Sequence, residues 1–168
     1  NQPTWHGFGK PKMTEPGPDN DWLAEHAELL ARSHRHWTGR TLIEPALPQI
    51  EAARALYEAP FALLAHGTEA DPRFTYANLS AQRLFEMAWA EIVGLPSRYS
   101  AEPLARDERE RLLKQVAEHG FVDDYSGVRS AKSGRRFRIE RATVWNLVDT
   151  DGSPAGQAAC FADWSESV

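Results

Sequence analysis

Asp123, Asp124 and Tyr125 follow one another in this 168-residue chain. A carboxylate next to a phenol is what proton abstraction beside a carbonyl needs, because one group takes the proton and the other donates to the oxyanion. Tyr99 is a second candidate donor. The two acids read equally well as solvated residues at the start of a strand. No nucleophile elbow, Walker loop, dinucleotide glycine fingerprint or metal-binding helix accompanies them. Arg98 follows Pro96 in a loop, where its forked donors suit a ligand carboxylate or phosphate, or an internal clamp on Asp123, Asp124 or Glu102. His34 and His36 are two residues apart and do not share a helix face, so they make a poor metal pair. His119 is the histidine placed for haem ligation, and it is also where a helix dipole favours a solvated imidazole. Cys160 is the single cysteine and has no neighbouring cation to activate it. These residues assign no catalytic group and no metal ligand.

Positioning such groups takes regular elements. Phe121–Asp163 reads as three strands joined by turns at Ser133-Gly134 and Asp151-Gly152, glycine dipeptides that accept positive φ. Two shorter strands are expected at Phe61–Ala65 and Arg73–Ala77, with turn chemistry between them. Helical segments are expected at Leu79–Ala88, Trp89–Val93 and Arg106–His119, the last with Leu112, Leu113, Val116 and Ala117 on its apolar side and Gly120 at its end. Upstream, Trp22, His26, Leu29, Leu30, Ser33 and Trp37 mark one side of an amphipathic helix capped by Asn20 or Asp21. A shorter helix spans Gln49–Glu58 after Pro45 and Pro48 break the chain. The first helix either packs on its own sheet or pairs with a second subunit through Trp22, Leu29, Leu30 and Trp37.

Residues 1–20 are rich in proline and glycine without an apolar period, the composition of a flexible tail, and Met13 reads as a candidate start. The expected organisation is a tail over 1–20, a helical extension over 21–58 and a core over 59–168. Net charge is −5, which argues against a nucleic-acid or anionic-membrane surface. No apolar run approaches the ~18–20 residues that span a bilayer, and the expectation is a cytoplasmic protein.

Two strands, a helical excursion and three strands make an α+β fold: a five-stranded antiparallel sheet with helices collected on one face, preceded by N-terminal helices. The residues carry a more specific pattern. Phe74–Glu86, Glu91–Arg98, Gly120–Arg129, Gly134–Glu140 and Val144–Asp149 together resemble the MEKHLA family, a PAS-related domain of bacterial proteins and of plant homeodomain-leucine zipper factors. The resemblance covers Leu23 to Trp164. It implies a PAS-like fold in which a ligand sits between the inner sheet face and the short helices. Carried onto this chain, Tyr76, Phe85, Trp89 and Tyr99 from the first half, and Tyr125 and Trp145 from the second, would line that space, with Arg98 and Arg129 as polar contacts. Asn78 is expected to cap a helix. Phe137, Ile139, Thr143, Trp145 and Leu147 share one strand parity, which points Trp145 inward and turns Ala142, Val144 and Val148 the other way.

The function expected is a non-enzymatic sensory or regulatory module that binds an unidentified small molecule or a protein partner and self-associates through helix 22–37 or the sheet. The alternatives are an acid/base enzyme of ketosteroid-isomerase-like cavity type using Asp123 or Asp124, and a ligand-free structural domain with a filled core. A PAS-type flavin adduct needs a cysteine in the helical excursion, where this chain has none. Flavin adduct chemistry and haem are therefore not expected, and no other cofactor is assigned.

Overall fold

In the computed structural model, residues 13–43, 47–101 and 106–166 are described. The expected residues 1–12, the break at Pro45 and the Glu102 clamp lie outside them. The first helix, α1 (Ala24–Thr38), is followed by α2 (Gln49–Tyr57), β1 (Ala62–His66), β2 (Phe74–Ala77), α3 (Leu79–Phe85), α4 (Trp89–Ile92), α5 (Arg106–His119), β3 (Phe121–Ser130), β4 (Arg136–Val148) and β5 (Pro154–Phe161). A short β6 (Asp163–Ser165) then pairs with the first half of β4 as a sixth strand. The sheet is antiparallel in the order β2-β1-β5-β4-β3. This is the expected α+β architecture of five strands with helices, extended by one short strand.

Helix α1 packs on β4 from one side of the sheet, and α5 packs on β3 and β4 from the other. Leu30 is fully buried, and the Trp37 indole N–H donates to the Asn146 carbonyl at 3.0 Å. The apolar stripe of α1 is therefore used within its own chain, each buried Leu contributing about 1.5–3 kcal/mol. The cap differs from expectation. Asp21, Trp22 and Leu23 all take left-handed φ of 53–58°, and the helix begins only at Ala24. The Asn20 amide folds back instead, accepting from the Gly17 N–H and donating to the Thr14 hydroxyl, each at 2.9 Å. Residues 13–20, grouped with the tail on composition, make defined contacts. The Met13 carbonyl accepts from the Trp89 indole at 2.9 Å, and Tyr57 donates to the Glu15 carboxylate.

Asn78 caps α3 as expected and does more. Its Oδ1 accepts from the Ala81 and Leu63 N–H groups at 3.1 and 3.0 Å. Its Nδ2 donates to the Leu56 and Phe61 carbonyls at 3.0 and 2.9 Å. One fully buried amide therefore ties α2, β1 and α3 together with its donors and acceptor used.

Bulges decide which side chains meet, and those in β2 and β4 bear most on the site. Ala65 pairs with Tyr76 but His66 with Phe74, so Thr75 is an extra residue in β2. Tyr125 pairs with Ala142 but Gly127 with Ile139, so β4 carries an extra residue, and Arg141 sits there at φ 53°. Each extra residue swaps the faces of everything beyond it.

Candidate functional site

Directly opposed residues of an antiparallel pair share a face, so the register sorts the sheet into two surfaces. Tyr76, Ala65, Ala158 and Trp145 form one cross-strand row. That row lies under α1: Trp145 meets the His34 ring edge at 4.8 Å and Tyr76 meets His26 at 5.7 Å. Phe74, His66, Gln157 and Asn146 form a row on the opposite surface, beside Leu64, Ala159 and Val144. That surface faces α5, since the Asn146 amide donates to the Val116 carbonyl at 2.8 Å and the Gln157 amide to the Leu113 carbonyl at 3.0 Å.

Between this second surface and α5 lies a cavity of about 70 Å³. Phe85, Leu112, Ile139, Val144 and Phe161 make its apolar wall. Its polar members are Arg109 from α5, Tyr125 and Arg129 from β3, His66 from β1, Gln157 from β5, and Ser97 and Ser100 from the 3-10 turn Ser97–Ser100. Arg109 and Arg129 are only 6% and 9% exposed. Arg109 donates to the Ser97 hydroxyl. Arg129 donates to its neighbour's carbonyl, that of Val128, at 2.8 Å and meets the Tyr125 hydroxyl at 3.5 Å. Among the described residues, neither guanidinium has a carboxylate in ion-pair reach. Burial, and then repulsion from Arg129, push the Arg109 guanidinium down to about 10. Two buried cations without a carboxylate in ion-pair reach among the described residues are costly, and the fold keeps both.

His66 adds a third unusual group. Its Nδ1 lies 3.0 Å from the Gly67 carbonyl, which can only accept, so Nδ1 carries the proton. Nε2 is then a buried acceptor with no partner among the described residues. Burial holds the ring neutral by lowering its pKa.

Of the eight residues expected to contact a ligand, Phe85, Tyr125 and Arg129 line the cavity. Arg98 and Tyr99 stand at the surface: Arg98 pairs with Asp71 at 3.1 Å, not with Asp123 or Asp124, and its guanidinium lies 4.3 Å from the Tyr99 ring centroid. Tyr76, Trp89 and Trp145 are core on the α1 side, with Tyr76 and Trp89 edge to face at 5.6 Å. The inward pointing of Trp145 is corrected by the β4 bulge, beyond which Val144 and Asn146 take the cavity side. The expectation for Phe137 and Ile139, before the bulge, is unaffected by it. Arg109 and His66 were missed. Arg109 could have been found, because 109, 112, 113 and 116 follow the helical spacing of one buried face. His66 carried no comparable signal.

The other candidate chemistry lies elsewhere. Asp123 binds Arg40 at 3.0 Å and the Thr143 hydroxyl at 2.8 Å, and the Thr143 bond lowers its pKa, making it a weaker base. Asp124 is exposed at a bulge, with φ 56°. Neither acid borders the cavity, so the acid/base alternative lacks its base there. Cys160 pairs with Thr143 across β4 and β5, off the cavity wall, and burial raises its thiol to about 11. His119 is exposed, and His34 and His36 turn to Trp145 and Trp37 respectively. Among the described residues no cluster of His, Cys, Asp or Glu could hold a metal, and no helix is long and apolar enough to cross a membrane.

The sequence matches the MEKHLA domain over residues 24–166, nearly the whole described chain. The chain belongs to the MEKHLA family. A curated relative is the homeobox-leucine zipper protein ATHB-14 of Arabidopsis thaliana, 30% identical over 101 residues, which are 58% of this chain and 12% of that protein. The MEKHLA chain thus spans about an eighth of the length of that relative. Among solved structures, the PAS domain of a Colwellia psychrerythraea protein superposes with a TM-score of 0.58 at 14% identity, covering 66% of this chain and 91% of that one. An RNA-binding light-oxygen-voltage receptor superposes at 0.60 with 21% identity, covering 75% of this chain and 36% of that one. At these identities the likeness establishes a PAS fold for the MEKHLA domain and nothing about its ligand.

Proposed function

We propose that this MEKHLA domain is a regulatory module that senses a small molecule held between α5 and the sheet. The observation that carries this reading is the partly enclosed apolar cavity lined by two buried guanidiniums that have no carboxylate in ion-pair reach among the described residues. A space of about 70 Å³ takes roughly five to seven water-sized groups, so the ligand is a small metabolite and not a nucleotide or an isoalloxazine. Its arrival would bridge α5 to β3, and the sheet carries that change to α1 through β4. Relatives with this domain in homeobox-leucine zipper proteins support a regulatory setting.

The test is native mass spectrometry and an absorption spectrum of the purified chain, followed by thermal melts against a panel of small acids, bases and neutral compounds. Retained mass, or stabilisation by a compound of this size, is expected. Ala159→Leu, which adds three carbons at the wall, should abolish the stabilisation while leaving a folded protein. A panel with no effect on the melt, together with unliganded mass, would overturn the reading.

A further inference from the structure

The groups around the cavity specify a ligand more closely than size does. Arg109 and Arg129 offer forked N–H donors that lack an anion among the described residues, and a planar carboxylate matches such forks in two parallel bonds. His66 offers the opposite polarity. With Nδ1–H committed to the Gly67 carbonyl, its Nε2 is a buried acceptor without a donor among the described residues, and a group in that state costs free energy until an O–H or N–H reaches it. The remaining wall, Phe85, Ile139 and Phe161, takes carbon.

We infer that the cavity recognises a small hydroxycarboxylic acid, with its carboxylate against Arg109 and Arg129, its hydroxyl donating to His66 Nε2, and its short carbon chain on the apolar wall. A phosphate is disfavoured, because it brings a second charge into a space with few further donors. An amine is disfavoured by the two cations. The inference rests on the small-molecule reading above and deepens it.

The experiment is calorimetric titration of the purified chain with 2-hydroxybutyrate, 3-hydroxybutyrate, butyrate, 1-butanol and inorganic phosphate. At least one hydroxy acid should bind ten-fold or more tighter than butyrate, and butyrate more tightly than 1-butanol and phosphate. Arg109→Gln should weaken both acids at least ten-fold. His66→Leu should erase the preference for the hydroxy acid while keeping butyrate binding. Far-ultraviolet circular dichroism and a cooperative melt establish that each variant is folded. If Arg109→Gln does not fold, Arg129→Gln gives the same reading.

Binding of 1-butanol as tight as butyrate, or acid binding unchanged by the arginine substitutions, overturns the inference while leaving a small-molecule sensor intact. Equal affinity for butyrate and both hydroxy acids overturns the role of His66. Phosphate as the tightest probe replaces the carboxylate. No heat with any probe, together with failure of the panel above, removes both readings.

Discussion

The Trp145 indole N–H donates to the Leu30 carbonyl at 3.2 Å, fastening the middle of β4 to α1 across 115 residues of sequence. Trp145 is fully buried there, with the His34 ring packed against it in a T-shaped arrangement, centroids 4.8 Å apart. Trp145→Ala should cost about 3–5 kcal/mol, the usual loss for a large aromatic truncated in a core. Chemical denaturation measures this directly. A loss under about 1 kcal/mol, accompanied by lost ligand binding, would return Trp145 to the cavity wall.

Asn78→Ala should cost about 2–4 kcal/mol, because it strands the Leu63 and Ala81 N–H groups and the Phe61 carbonyl and takes a second donor from the Leu56 carbonyl. Asn78→Asp should be no milder. It keeps the acceptor but removes both donors and buries a charge against two carbonyls. Urea midpoints of the two variants test this. A rescue of stability by Asp would show that only the helix cap matters.

Acid should weaken the fold below the normal histidine range. Burial lowers His26 to about 4, and His34 and His66 are lowered in the same direction. A histidine whose folded pKa is depressed binds its proton more readily when unfolded, so stability is full above about pH 6.5. It falls as pH drops through the window from 6.5 towards 4. For His26 the loss is at most roughly 3 kcal/mol. His26→Phe should flatten the dependence of the urea midpoint between pH 7 and 5 relative to the parent chain. A parallel slope in both would assign the effect to other groups.

Arg109→Met should stabilise the unliganded protein. The substitution keeps the apolar stem and removes a buried cation that is repelled by Arg129 and has no carboxylate in ion-pair reach among the described residues. A gain of about 1 kcal/mol corresponds to a melting shift of roughly 2–4 °C for a chain of this size. A drop in the melting temperature would instead show that the hydrogen bond to Ser97 is what Arg109 is kept for. Stability gained together with ligand binding lost is the pattern expected of a recognition site.

Local signals along the chain account for much of this fold without reference to tertiary contacts. Gly120 has φ 96° and closes α5 as expected, and Asn78 caps α3 because its amide follows a strand and opens an apolar helix. The bounds of α5 coincide with the expected Arg106–His119, and β3, β4 and β5 lie within the expected Phe121–Asp163 and are parted at its two glycine turns. Turn dipeptides and apolar periods act over a few residues, and that is the range on which sequence reports directly. The site was legible only in part, because the face a strand residue presents depends on every irregularity before it.

The extra residues at Thr75 and Arg141 moved Tyr76 and Trp145 to the α1 side and brought Val144 and Asn146 to the cavity side. A bulge with an arginine at positive φ has no composition signature, since the strain is offset by strand partners far along the chain. The aromatic content and element order thus follow from the sequence by itself. Which aromatics are core, and that Arg109, Arg129 and His66 share one space, were decided by tertiary register, because one inserted residue reverses a period of two.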